Sequence, residues 1–318
     1  MMYLEIVIGF VVLVAGAEFL VRGAVMLAER FGVSPLVIGM TVVAIGTSAP
    51  ELMVSVRAAL EGAPGLAVGN VVGSNIANVL LILGIAALIS PIKRREATLR
   101  RDGGMLVGGT LLFIALATTG ELSSMAGSLL LVGFFVFLAI SYWRDSHGDG
   151  DGDDGLEEFE GWPKTTGGAV VVVILGLAGL AGGAELLING GVAVARSWGV
   201  SEEVIGLTLF AFGTSLPELA ATVVAARRGH AEVGLGNVVG SNLFNILGVA
   251  GVTALVAPLP ISEQVGSFDI WVMLAATIIL VPVLAIGWRI TRLAGGILTA
   301  IYIVYIWMQS QGIDQLLS

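Results

Sequence analysis

The chain contains no cysteine and only two histidines, His147 and His230, among its 318 residues. Disulfides, thiolate metal sites and thiol nucleophiles are thereby excluded, and intramembrane hydrolysis has almost nothing to draw on, so no enzymatic activity is expected. Charge is scarce as well. Asp, Glu, Lys and Arg make up 12% of the residues, against about 25% in an ordinary soluble domain. Strand-like alternation is missing too, and MMYLEIV opens the chain without a basic leader or a small-residue cleavage site, so the first apolar run reads as a retained helix. What remains is apolar: 56% of residues are hydrophobic and the mean hydropathy is +0.97.

These apolar residues come in runs of the length needed to cross a hydrocarbon layer of about 30 Å. They lie at 3–28, 34–60, 66–90, 103–118, 123–143, 165–195, 202–226, 233–258, 268–287 and 293–310. Backbone groups in lipid need partners within their own segment, so each run is expected to be a helix. The expectation is an all-α integral membrane protein with ten transmembrane helices. With the N-terminus outside, 13 of the 15 Lys and Arg residues fall on the cytoplasmic side and only Arg57 and Arg196 fall outside. That is the positive-inside distribution. It predicts a multi-pass protein of the cell membrane, both termini extracytoplasmic, with the lipid bilayer and not nucleic acid as its partner.

The sequence also repeats. GAEFLVRGAVMLAERFGVSPLVIGMTVVAIGTSAPEL (16–52) registers without a gap on GAELLINGGVAVARSWGVSEEVIGLTLFAFGTSLPEL (183–219). The same offset of 167 residues carries GNVVGSNIAN (69–78) onto GNVVGSNLFN (236–245), with roughly half the positions identical from 16 to 78. Each copy holds five expected crossings, so the second starts on the opposite side and the two form inverted repeats, a transporter architecture with its site at mid-depth. The predicted organisation is a first repeat at 1–143, a cytoplasmic linker at 144–164 and a second repeat at 165–318. The linker carries eight acids against Arg144 and Lys164 and many glycines, the composition of a solvated segment. Within it Asp149, Asp151, Asp153 and Glu160 have calcium-loop spacing, but Asp154 stands where such a loop needs glycine. A solvated linker is the favoured reading and a regulatory calcium sensor the other. KRREATLRRD (93–102) reads as a topology signal and headgroup contact, and Glu18 with Arg22 as an i, i+4 ion pair.

The chemistry concentrates in the repeated motifs. Glu51 and Glu218 lie inside apolar runs, where inserting a charge costs on the order of 3 kcal/mol. No Lys or Arg stands within a helical turn of either, so a mobile cation is the natural partner. Pro50 and Pro217 cannot donate to the carbonyls of Gly46 and Gly213 and crowd that turn, so each helix is expected to break at its acid and to free carbonyl oxygens around Thr47 and Thr214. Thr47, Ser48, Thr214 and Ser215 add hydroxyls. In the next helix Ser74 and Asn78, like Ser241 and Asn245, share one face, and the GxxxG pairs Gly69/Gly73 and Gly236/Gly240 suit close helix contact. All donors are oxygens, the set for a hard cation: Ca²⁺ takes about 6–8 of them and Mg²⁺ a tight octahedron.

GTSAPEL and GNVVGSNIAN, repeated as GTSLPEL and GNVVGSNLFN, resemble the two α-repeats of the sodium/calcium exchanger family, within the calcium/cation antiporter superfamily. The resemblance implies an antiporter that exports Ca²⁺ against Na⁺ by alternating access, with no cofactor, working as a monomer. It implies that Glu51 and Glu218 bind Ca²⁺ and share their oxygens with Na⁺, that carbonyls of Thr47 and Thr214 join the calcium site, and that Ala44, Ser48, Ser74, Ala211, Ser215 and Ser241 line the sodium sites. Asn78 matches a central polar ligand. Asn245 stands where some members carry aspartate, so the centre is uncharged in both copies. The first and sixth helices are implied to slide, and Gly16, Gly23, Gly182, Gly183, Gly190 and Gly191 suit such a contact. Proton-coupled calcium relatives carry a glutamate near Gly73 and Gly240. Its absence favours sodium, leaving a proton-coupled or other sodium-independent calcium/cation antiporter as the alternative and a passive cation channel behind it.

Overall fold

The computed structural model describes residues 2–92, 99–147, 162, 165–198, 211–286 and 289–311. The basic segment 93–98 and the calcium-loop-like stretch 149–160 lie outside these residues, as does the start of the run expected at 202–226. Nearly everything described is helical. Seven helices are long and apolar enough to cross a membrane, and eight if the bent pair Pro35–Thr47 and Ala49–Leu60 forms one span. The run expected at 103–118 appears as the helix Leu99–Ala117, whose apolar part begins at Gly103.

Two compact units share the chain, one formed by Met1–Pro50 and Ser141–Asn237, the other by Glu51–Ile140 and Val238–Ser318. Each therefore draws on both sequence copies. In the first unit the helix Met2–Phe31 lies along Thr166–Ser197 with glycines at the seam. A Cβ on Gly16 would sit 2.6 Å from the Leu180 amide nitrogen, one on Gly176 2.5 Å from that of Leu20, and one on Gly183 2.5 Å from that of Leu13. Backbone thus touches backbone. Lipid gives apolar side chains no reason to prefer protein, so close packing of small residues supplies the attraction. Gly16, Gly23, Gly183 and Gly190 all serve this contact, whereas Gly182 meets no described atom within 4 Å.

The same helix carries Glu18, whose expected partner Arg22 donates from Nε at 2.7 Å. A second arginine joins it: Arg228 reaches Glu18 Oε1 from Nη2 at 2.8 Å and Oε2 from Nε at 2.9 Å. The i, i+4 spacing shows the first cation and is blind to the second, 210 residues away.

The second unit is held by further glycine crossings. A Cβ on Gly295 would lie 2.6 Å from the Gly84 carbonyl, and one on Gly127 2.8 Å from that of Gly251. Its departures from pure helix are small: Glu121–Leu122 pairs antiparallel with Leu259–Pro260, and Ile92 bridges Ile290. In the first unit Gly236 makes the expected close approach, its added Cβ lying 2.5 Å from the Leu36 carbonyl. Among the described residues nothing lies within 4 Å of a Cβ added to Gly69 or Gly73, and the counterparts of the residues that meet Gly236 fall within 203–207, outside the described residues.

Burial ranks the spans. Of the most apolar windows, 89% of that in Ala231–Val256 and 78% of that in Pro64–Ile89 are enclosed by protein, against 17% in Arg292–Gln311. The two helices bearing GNVVGSN are therefore the most enclosed, and the others turn apolar faces to lipid. Replacing Gly176 by alanine is expected to force the first helix away from Thr166–Ser197 and to cost about 1–3 kcal/mol, the usual penalty of overpacking, read as a lower unfolding temperature of the purified protein.

Candidate ion-binding site

Each acid stands just after a helix break. Residues Pro35–Ile38 start a helix capped by Ser34, whose hydroxyl accepts from the Val37 amide. The helix widens into a π turn over Gly39–Val43 and stops at Thr47. Ser48 leaves helical geometry, at φ −87° and ψ 8°, and a new helix, Ala49–Leu60, departs at 43°. The second copy does the same: Ala211–Thr214 ends, Ser215 sits at φ −87° and ψ 1°, and Leu216–Arg227 follows. The expected break at the acid falls instead at the serine three residues before it. Proline is tolerated in the first turn of a helix, where its missing N–H is no loss, so Pro50 and Pro217 open the new helix and Glu51 and Glu218 lie in its first turn. There the helix dipole favours negative charge.

In the first unit, Glu218 is buried, 2% exposed. Its Oε1 accepts a hydrogen bond from the Ser48 hydroxyl at 2.8 Å, and its Oε2 has no hydrogen-bond partner among the described residues. Thr47, buried beside it, donates its hydroxyl to Asn237 Oδ1 at 3.1 Å and to the Ala44 carbonyl at 3.3 Å. The Ala44 carbonyl also accepts the Ser48 amide at 3.0 Å. Asn237 in turn donates from Nδ2 to the Glu218 carbonyl at 3.4 Å and to Thr222 Oγ1 at 3.0 Å. Ser215 is buried and Thr214 half-buried, and Ala211 opens its short helix.

In the second unit, Glu51 is 1% exposed. Arg57, six residues on, is engaged by Glu61 at 2.7 Å on the exposed surface. Asn70 donates from Nδ2 to the Glu51 carbonyl at 3.1 Å and to Ser55 Oγ at 2.9 Å. Ser74, Asn78, Ser241 and Asn245 are all buried. Asn78 donates to Asn242 Oδ1 at 2.9 Å, and Asn242 donates to the Asn75 carbonyl at 3.4 Å. Ser241 Oγ and Asn245 Oδ1 are buried with no hydrogen-bond partner among the described residues. Both copies carry a π turn here, over Asn78–Ile82 and Phe244–Val249, a distortion common at functional sites.

A buried oxygen without a partner costs roughly 1–3 kcal/mol, more if it is charged. Oxygens of that kind stand on Glu218 in the first unit and on Ser241 and Asn245 in the second. Among the described residues no three His, Cys, Asp or Glu side chains gather, so the donors offered are isolated acids among neutral oxygens, a set for hard cations rather than for a transition metal. Asn70 and Asn237, with the hydroxyls of Ser55 and Thr222, escaped the reading of the sequence. Their signal was present: the first Asn of GNVVGSN and a hydroxyl four residues after each acid occur in both copies.

The model of the sodium/calcium exchanger protein family matches residues 2–143 and 168–311. The chain belongs to this family. Among curated relatives, the sodium/calcium exchanger MaX1 of Methanosarcina acetivorans is 37% identical, with 96% of this chain and 97% of that protein covered. CaxA of Alkalimonas amylolytica is 41% identical, with 94% and 96% covered. Among solved structures, the sodium-calcium exchanger NCX_Mj soaked with Na⁺ and Ca²⁺ superposes with a TM-score of 0.84 at 33% identity, covering 96% of this chain and 97% of that one. Membership makes the chain a membrane cation antiporter rather than an enzyme.

The Ser48 contact is testable without transport. Ser48→Ala removes a hydrogen bond to a buried carboxylate and is expected to cost the ion-free protein about 1.5–3 kcal/mol, seen as a lower unfolding temperature in buffer free of Na⁺ and Ca²⁺.

Proposed function

We propose that this exchanger expels Ca²⁺ from the cell in return for Na⁺, by alternating access. The observation that carries the reading is Glu218, a buried carboxylate with one oxygen on the Ser48 hydroxyl and the other lacking a hydrogen-bond partner among the described residues. It stands in a motif duplicated around Glu51, in a chain that resembles proteins named as sodium/calcium exchangers.

In this reading Glu51 and Glu218 together bind one Ca²⁺, with the carbonyls of Thr47 and Thr214. Na⁺ takes the same carboxylates together with Ala44, Ser48, Ser74, Asn78, Ala211, Ser215, Ser241 and Asn245. Two carboxylates supply a charge of −2, which one Ca²⁺ or two Na⁺ neutralise. A third Na⁺ would make the exchange carry current. The chain crosses the membrane ten times as two inverted five-helix repeats, 1–143 and 165–318, joined by the cytoplasmic linker 144–164. Both termini face outward, and a single copy suffices. Access switches when Met2–Phe31 and Thr166–Ser197 slide as a pair, a motion supported by their glycine seam.

The test is flux in vesicles of the reconstituted protein, with Na⁺, H⁺ and K⁺ gradients imposed one at a time. An outward Na⁺ gradient is expected to drive Ca²⁺ uptake that a proton ionophore leaves unchanged. Uptake abolished by the ionophore would assign proton coupling instead. Glu51→Gln and Glu218→Gln are each expected to insert normally and to lose exchange, because an amide is easier to bury than a carboxylate but cannot replace its charge. Normal Ca²⁺ affinity in either variant would remove that residue from the site.

A further inference from the structure

We infer that Asn237 is a positioning residue of the ion site, and that it acts by fastening the broken segment at Thr47 to the helix that carries Glu218. The inference deepens the exchange reading and rests on it. The carboxamide is fully buried and used on both sides. Its orientation is dictated by chemistry: the Glu218 carbonyl only accepts, so the group facing it at 3.4 Å is the NH₂, and the oxygen is left for the Thr47 hydroxyl at 3.1 Å. The second N–H goes to Thr222 Oγ1 at 3.0 Å.

Such a fastener is needed at this place. The helix ending at Thr47 makes its last backbone bond from the Ser48 amide to the Ala44 carbonyl, and Pro50 has no N–H with which to continue the ladder. That ladder does not reach the helix that carries Glu218. A side-chain hydrogen bond from Thr47 does, and because Asn237 also holds the Glu218 carbonyl, one side chain sets the broken segment and the acid in register. The Ser48 hydroxyl, one residue on, meets Glu218 Oε1 at 2.8 Å in that register. Thr47 is thereby assigned a divided role, its hydroxyl serving the fastening while its carbonyl stays available to the ion. The hold on the acid's own helix occurs twice. Asn70 makes the matching pair of bonds, to the Glu51 carbonyl and to Ser55 Oγ, at 3.1 and 2.9 Å.

The experiment is a double-mutant cycle read by calorimetric titration of Ca²⁺ into purified protein, which requires no turnover. Thr47→Val removes the hydroxyl and keeps the carbonyl and the shape. Asn237→Ala and Thr47→Val are each expected to weaken Ca²⁺ binding about tenfold, the loss of roughly one buried hydrogen bond. The double variant is expected to stay near the same tenfold, because one network is cut twice. A double variant weakened about a hundredfold, the product of two independent losses, overturns the inference. So does a Thr47→Val protein that binds as the wild type does, or an Asn237→Ala protein of normal affinity whose only defect is a lower folded yield. If Asn237→Ala does not fold, Thr47→Val and Thr222→Val cut the two sides of the same carboxamide, and their cycle decides between the same outcomes. A wild type that takes up no Ca²⁺ overturns the exchange reading and this inference with it, whereas a binding wild type with additive variants overturns this inference alone.

Discussion

A carboxylate enclosed in a helix that crosses lipid must find compensation for the solvation it gives up, and this protein solves that problem in three ways. Glu18 takes permanent cations, Arg22 and Arg228. Asp269, also buried, takes neutral donors: the Tyr305 hydroxyl at 3.1 Å and the amides of Gln309 and Gln264. Glu218 takes one hydroxyl and keeps an oxygen without a hydrogen-bond partner among the described residues. The first two are closed structural arrangements. The third leaves a buried oxygen uncompensated, at a cost the other two do not carry.

The rest of the fold makes that third arrangement sustainable. Breaking each motif helix at a serine, with proline just inside the next helix, gives the acid a dipole that favours its charge. The two most enclosed helices keep water and lipid from the polar oxygens they bring. Close glycine seams elsewhere, at Gly16 against Gly176 and Leu180 and at Gly84 against Gly295, provide cohesion that lipid cannot.

Much of this could be read from residues in order. Apolar run length and the 167-residue offset gave the membrane class, the duplication and both acids, because these signals are local or strictly repeated. The break was legible to within a turn and misplaced at the acid, since proline's effect depends on which side of the break it falls. The hold of Asn237 on Thr47 and the second arginine on Glu18 were invisible for a common reason. A partner some 190 or 210 residues away leaves no trace in helical periodicity.

Comparison of the two copies carries the argument one step further. GNVVGSN is identical in both, yet the Asn242 oxygen accepts from Asn78 while the oxygen of Asn75, its counterpart, is buried with no hydrogen-bond partner among the described residues. Identical local sequence cannot produce that difference, so it arises from what surrounds each copy in this one conformation. In the alternating-access reading proposed above, duplicated halves need such inequality, because copies satisfied in the same way would leave neither state distinguishable from the other. The unsatisfied oxygen at Asn75 then belongs to the surroundings of that copy rather than to its sequence.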